Sequence, residues 1–161
     1  MENLRKISEK LSLLSEKTVY YTLVVMMIVM TLTIIVQVFL RYVFSFSLSW
    51  SEEVARYLMI WVAFLGGSLA LKKGLHIGVE FLLTRLSLGA RRRVSLFSKI
   101  TILLFLIYLI IGGLKITWAV RDQSSPALLF SMAYAYLSAP VGGFFMALQT
   151  IHSLIEDWVK R

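Results

Sequence analysis

Hydrophobic residues fill long uninterrupted blocks of this chain, and the charged residues fall between them. Thr18 to Leu40 is a run of 23 residues without a charged side chain. At ~20 apolar residues per bilayer crossing, it predicts a first transmembrane helix over about 18–41. Ahead of it, Leu4, Ile7, Leu11 and Leu14 recur at three- and four-residue intervals among Arg5, Lys6, Lys10, Lys17, Glu2, Glu9 and Glu16. That period predicts a short amphipathic helix over 1–17, lying on the membrane surface. The apolar run exceeds the roughly 7–15 residues of a signal-peptide core, and bulky Phe39-Leu40-Arg41-Tyr42 offers no small-residue cleavage site. It is read as an uncleaved span.

The second block is uncharged only from Tyr57 to Leu71, but extended back through Arg56, Glu53, Glu52 and Trp50 it becomes a span over 50–72. Ser49 or Ser51 is the expected N-cap, Glu52 and Glu53 complement the positive helix end, and Lys72, Lys73 and Gly74 close the helix. Between Leu75 and Arg93, charged residues alternate with apolar ones, which predicts a short interfacial helix and turn. A third span follows over about 94–119, with Lys99 and Lys115 near its ends. Gln123 to Ile155 contains no Asp, Glu, Lys or Arg. Ser124, Ser125 and Pro126 mark the expected start of a fourth span, 126–155, and Pro140 with Gly142 and Gly143 is expected to kink it. The pattern predicts an all-α integral membrane protein. It has four transmembrane helices, with short amphipathic interfacial helices at the N-terminus and between spans 2 and 3, in a single membrane domain (1–161).

Composition narrows the function. The chain is 58% hydrophobic and 16% charged, against roughly 45–50% and about 25% in soluble domains, and its mean hydropathy is +0.78. Four spans occupy nearly all 161 residues, leaving no room for an ATPase module or a separate catalytic domain. Without cysteine there is no disulfide, thiolate metal site or thiol redox chemistry. The net charge of +8 in a soluble protein would raise the question of nucleic acid. Here the charge has a topological reading instead. Thirteen of the 17 basic residues flank one side of the predicted spans, so the positive-inside rule puts both termini and the central loop in the cytoplasm. The formal charge is then +7 inside and +1 outside.

Candidate chemistry is sparse. No span carries an Asp or Glu near its centre, which argues against a proton-coupled exporter, whose mechanism needs a membrane carboxylate. Gln37 and the Ser and Thr residues suit helix-to-helix hydrogen bonds. His76 and His152 both fall toward the cytoplasmic side and could ligate a haem in a respiratory membrane anchor. Neither is set in a helical core facing a macrocycle, so they read as interfacial, and no cofactor or metal is expected. The densest constellation is Arg41, Trp50, Glu52, Glu53 and Arg56, with carboxylates three and four residues before Arg56. It serves either as an interfacial ion pair with a Trp anchor or as a contact for another protein. Gly66 and Gly67, with Ala63, Ser68 and Ala70, give span 2 a face of small residues, open to another helix of the chain or to a partner. Lys72, Lys73, His76, Arg91, Arg92 and Arg93 are expected at the cytoplasmic headgroups, binding anionic lipid and fixing topology.

Arg41-Tyr-Val-Phe44, Trp50-Ser-Glu52-Glu53-Val-Ala-Arg56-Tyr, Trp61, Gly66 and Lys73-Gly74-Leu-His76-Ile read in order resemble the small membrane (Q-type) subunit of tripartite ATP-independent periplasmic (TRAP) transporters. Ser125-Pro126-Ala-Leu and Tyr136-Leu-Ser-Ala-Pro140-Val-Gly142 are similar to that family as well. The resemblance covers about residues 18–155, and spans 1 and 3 match only in hydrophobicity and position. It implies a non-catalytic small permease subunit in a bacterial inner membrane, in a sodium-coupled transporter of organic acids. Such a subunit partners a large membrane transport subunit and a periplasmic substrate-binding protein. The chain lacks a midplane polar site, so the implied role is a scaffold for the large subunit that helps dock the binding protein. The alternative from another class is the respiratory membrane anchor with a His-ligated haem or a quinone site.

Overall fold

The computed structural model describes residues 2–73 and 87–159, and every long element in it is helical. Helix α1 runs from Glu2 to Val43 and α2 from Ser49 to Lys72. Helix α3 runs from Leu88 to Ala119, α4 is a single turn over Ala133–Tyr136, and α5 covers Ser138–Val159. Within α1, α2 and α3, the stretches Lys6–Val43, Ser49–Lys72 and Gly89–Ala119 are long and apolar enough to cross a membrane. In α5 the apolar residues are diluted by Gln149, Thr150 and His152, and by Pro140, Gly142 and Gly143 at its start.

Helix α5 is the hub. It packs against α1, α2 and α3, while α1 otherwise packs only on α2, and α3 otherwise touches only α4 among the described residues. Helices α1, α2 and α5 therefore pack mutually and α3 leans on α5 from outside, so the four long helices do not close into a four-helix bundle. Residue pairs fix the directions. Ser12 meets Gln149 and Lys99 meets Asp157, so α1 and α3 run antiparallel to α5. Phe64 abuts Gly142 and Met146 abuts Gly67, so α2 and α5 run in the same direction. One end of the molecule thus carries the N-terminal part of α1 and the C-terminal part of α5 (the terminal end). The other carries the α1–α2 turn and the α3–α4 loop (the hairpin end).

The burial pattern is that of a protein solvated by lipid. Among the described residues ten buried side chains are polar or charged, against four buried hydrophobic ones, Val19, Leu65, Leu106 and Ala135. Large apolar side chains such as Tyr21, Ile28, Phe39, Leu104 and Tyr108 face outward. In water this arrangement would forfeit the hydrophobic driving force; in hydrocarbon the polar groups are the ones that must find partners inside.

Several expected boundaries move. A break between a surface helix over 1–17 and a span from 18 is absent, because α1 is continuous from Glu2 to Val43. Its Ile7, Leu11 and Leu14 are exposed, while Ser12, Ser15 and Val19 are buried. The expected caps Ser49 and Ser51 do not cap α2. The preceding residue is Leu48, and the Ser51 hydroxyl donates to the Leu48 carbonyl at 2.6 Å. Arg91, Arg92 and Arg93 belong to the first turns of α3 rather than to a preceding turn. The expected interfacial helix between spans 2 and 3 lies mainly outside the described residues. The fourth helical segment begins at Ala133 and not at Pro126, because residues 123–132 close on themselves as a loop. Pro140 lies in the first turn of α5, and the helix is interrupted at Leu137, before Pro140 rather than in mid-span. Having no N–H, Pro140 cannot donate a helical hydrogen bond to Tyr136, the last residue of α4.

Candidate functional site

The hairpin end concentrates the buried charge. Chain reversal after α1 places Ser45 in the left-handed region (φ 54°), and the amide of Phe46 reaches back to the Leu40 carbonyl at 3.1 Å. Four residues on, α2 begins, and its first turns carry both glutamates of the sequence-predicted cluster. The helical rotation of about 100° per residue sends these neighbours to different partners. Glu52, exposed, accepts a hydrogen bond from Gln37 Nε2 of α1 at 3.1 Å. Glu53, only 8% exposed, turns inward.

The Glu53 carboxylate is fully engaged. Oε1 accepts from the Tyr57 hydroxyl at 2.6 Å, and Oε2 accepts from the amides of Ala127 and Leu128, both at 2.9 Å. Those amides belong to a loop that closes by its own hydrogen bonds. Ser125 N–H donates to the Phe130 carbonyl at 2.7 Å, Met132 N–H to the Gln123 carbonyl at 2.9 Å, and the Ser131 hydroxyl to the Arg121 carbonyl at 2.6 Å. The fold leaves the Ala127 and Leu128 amides without a carbonyl partner of their own, and the carboxylate supplies it. Leu129, at the tip, takes a positive φ of 58° and is 75% exposed beside exposed Phe130. A second tie runs from Trp61 Nε1 to the Tyr134 carbonyl at 3.0 Å.

Arg41, Trp50 and Arg56 stay exposed, and none of the ion pairs among the described residues includes Arg41 or Arg56. The cluster therefore divides into Glu52 and Glu53, which act inside the chain, and three outward groups. Tyr57, Ala127 and Leu128 stand within the family-like segments but are not among the expected site residues. The four-residue spacing of Glu53 and Tyr57 was a legible signal, whereas backbone amides 74 and 75 residues away leave none.

The small-residue face divides too. A Cβ on Gly67 would lie 2.8 Å from Met146 Cε, and on Gly142 2.6 Å from Phe64 Cβ, so these glycines let α2 and α5 touch. Gly66 has open space beside it. At the terminal end, Gln149 is 4% exposed; its Oε1 accepts from Ser12 Oγ at 2.6 Å, and its Nε2 donates to Ser15 Oγ at 2.7 Å. Lys72 pairs with Glu16 and Lys99 with Asp157. His152 Nδ1 lies 3.2 Å from Ser8 Oγ, a contact between α5 and α1; His76 lies outside the described residues.

A helical chain with lipid-facing apolar surfaces and its few polar groups joined to one another is a small integral membrane protein. Residues 30–160 match the family model of the DctQ component of tripartite ATP-independent periplasmic transporters. The chain belongs to that family, the small permease subunits of TRAP transporters. It is 31% identical over 130 residues to a Haemophilus influenzae protein assigned as a TRAP transporter small permease, covering 79% of each chain. It is 27% identical over 107 residues to the sialic acid TRAP transporter small permease SiaQ of Vibrio cholerae, covering 66% of this chain and 62% of that one. A stretch of 93 residues is also 30% identical to the sialic acid TRAP transporter permease SiaT of H. influenzae, 58% of this chain but 15% of that much longer protein. The respiratory-anchor alternative finds no support in these matches.

Proposed function

We propose that this chain is the non-catalytic scaffold subunit of a sodium-coupled TRAP transporter of organic acids in the bacterial inner membrane, partnering the large transport subunit. Helix α5 is its fourth span; 22 residues at ~1.5 Å each exceed the ~30 Å hydrocarbon thickness. Both termini are cytoplasmic, and the hairpin end faces the periplasm. One observation carries the scaffold reading: the buried carboxylate of a spanning helix, Glu53, is consumed by Tyr57 and the 123–132 loop of its own chain. A carboxylate on a substrate or ion path would instead face an open cavity. Fixing that loop also fixes the exposed surface around it. Arg41, Trp50, Arg56 and outward Gly66 then form the surface that positions the large subunit and helps dock the binding protein. The similarity to part of the longer permease SiaT supports close association with a large subunit.

The test is Glu53→Gln and Arg56→Gln, singly and together, with complex recovery and uptake measured in proteoliposomes containing the large subunit and binding protein. Glu53→Gln should lower recovery by freeing the loop. Arg56→Gln should leave the isolated chain intact and weaken assembly or uptake. Wild-type assembly and transport in all three variants would overturn the proposal.

A further inference from the structure

Where α1 and α2 pass each other at the terminal end, their polar-to-apolar boundaries come to the same level. The uncharged run of α1 begins at Thr18, that of α2 ends at Leu71, and the ion pair from Lys72 Nζ to Glu16 Oε2, at 2.7 Å, links the two helices there. Beside that pair is a cleft of about 270 Å³ lined by Glu16, Lys17, Tyr20, Tyr21, Leu69 and Lys73. Its charge is unbalanced. Glu16 is neutralised by Lys72, while Lys17 and Lys73 are exposed and belong to none of the ion pairs among the described residues. Its walls are graded, with ammonium groups at the rim, two tyrosines packed edge to face at 5.6 Å between ring centroids, and Leu69 on the membrane side.

We propose that this cleft holds the headgroup phosphate of one anionic phospholipid. Two cations attract one singly charged phosphodiester, and tyrosine rings are amphipathic groups suited to the headgroup level. A free phosphate would use the rim alone; the Tyr20, Tyr21 and Leu69 wall adds contact with the glycerol and first methylenes of a lipid. A choline headgroup would bring its own positive charge against Lys17 and Lys73. The inference rests on the terminal end lying among the headgroups, which reporter-tag topology tests separately.

The experiment is native mass spectrometry of the full chain in detergent, titrated with dioleoylphosphatidylglycerol, dioleoylphosphatidylcholine or inorganic phosphate. One phosphatidylglycerol should be retained per chain in preference to phosphatidylcholine. Lys17→Gln/Lys73→Gln should weaken it about thirtyfold, at about fivefold per lysine near an anionic headgroup. Lys17→Arg/Lys73→Arg should retain it. Lys10→Gln/Lys115→Gln, the same charge change away from the cleft, should leave it bound. Equal weakening by the two Gln pairs would overturn the site in favour of diffuse surface attraction. Equal retention of both lipids, or competition by inorganic phosphate at the lipid's own concentration, would overturn it as well.

Discussion

Adjacent residues of one type have opposite duties here. Glu52 bonds Gln37 on α1, whereas Glu53 closes a loop reached only through the tertiary fold. The glycines repeat the lesson. Gly142 is the tighter site, because an added Cβ meets the Phe64 backbone carbon at 2.8 Å and its carbonyl oxygen at 2.9 Å, and a helix backbone cannot swing aside as a side chain can. Gly142→Ala should destabilise the isolated chain by ~1–3 kcal/mol, the usual range for overpacking, read by thermal unfolding in detergent. Gly66→Ile should leave that unfolding unchanged and lower recovery with the large subunit. Unchanged recovery would remove Gly66 from the partner surface.

At the scale of elements, the continuity of α1 is the main departure from expectation. Its 42 residues, at ~1.5 Å each, reach about twice the hydrocarbon thickness, and the extra length continues as one helix with the span. Ser12 and Ser15 bond Gln149, and Ser8 meets His152. A buried amide with lost partners costs roughly 1–3 kcal/mol, which ties the extension to α5. The cysteine-free sequence makes this directly testable. A Ser8→Cys/His152→Cys variant should cross-link within the chain under mild oxidation, while Leu11→Cys/His152→Cys, with Leu11 on the exposed face, should not. Gln149→Leu should reduce cross-linking of the first pair. Absence of cross-linking in Ser8→Cys/His152→Cys would mean that the segment lies away from α5.

For the whole molecule, the mutual packing of α1, α2 and α5 leaves α3 outside that group and supported mainly by α5, through Gly113 against Pro140, Gly143 against Ile110, and the Lys99–Asp157 pair. A chain that encloses so little of itself is suited to resting on a larger neighbour. Reconstituted alone it should catalyse no uptake, and uptake should appear only with the large subunit and binding protein; transport by the chain alone would end the scaffold reading. Orientation belongs to this scale too. Exposed Arg91, Arg92 and Arg93 sit at the start of α3, so replacing all three by Gln should increase the fraction of molecules with inverted reporter-tag topology. An unchanged fraction would assign orientation to the other basic residues.

The amino-acid sequence by itself determined the membrane class, three helices long and apolar enough to span and the outlines of the family, because hydropathy and charge placement act locally and accumulate along the chain. It also marked Glu52, Glu53 and Arg56 as unusual, since charges at the start of a span are costly and conspicuous. Tertiary structure alone decided which of these face inward and which glycine is a contact. It likewise placed the start of the fourth helical segment at Ala133, since Ser124, Ser125 and Pro126 serve equally well as a helix start or as a closed loop. The physical reason is one of distance. A backbone amide of Ala127 or Leu128 has no side-chain identity to read, and its partner Glu53 lies more than seventy residues away. Only packing α2 against α5 and the loop above it brings donor and acceptor together.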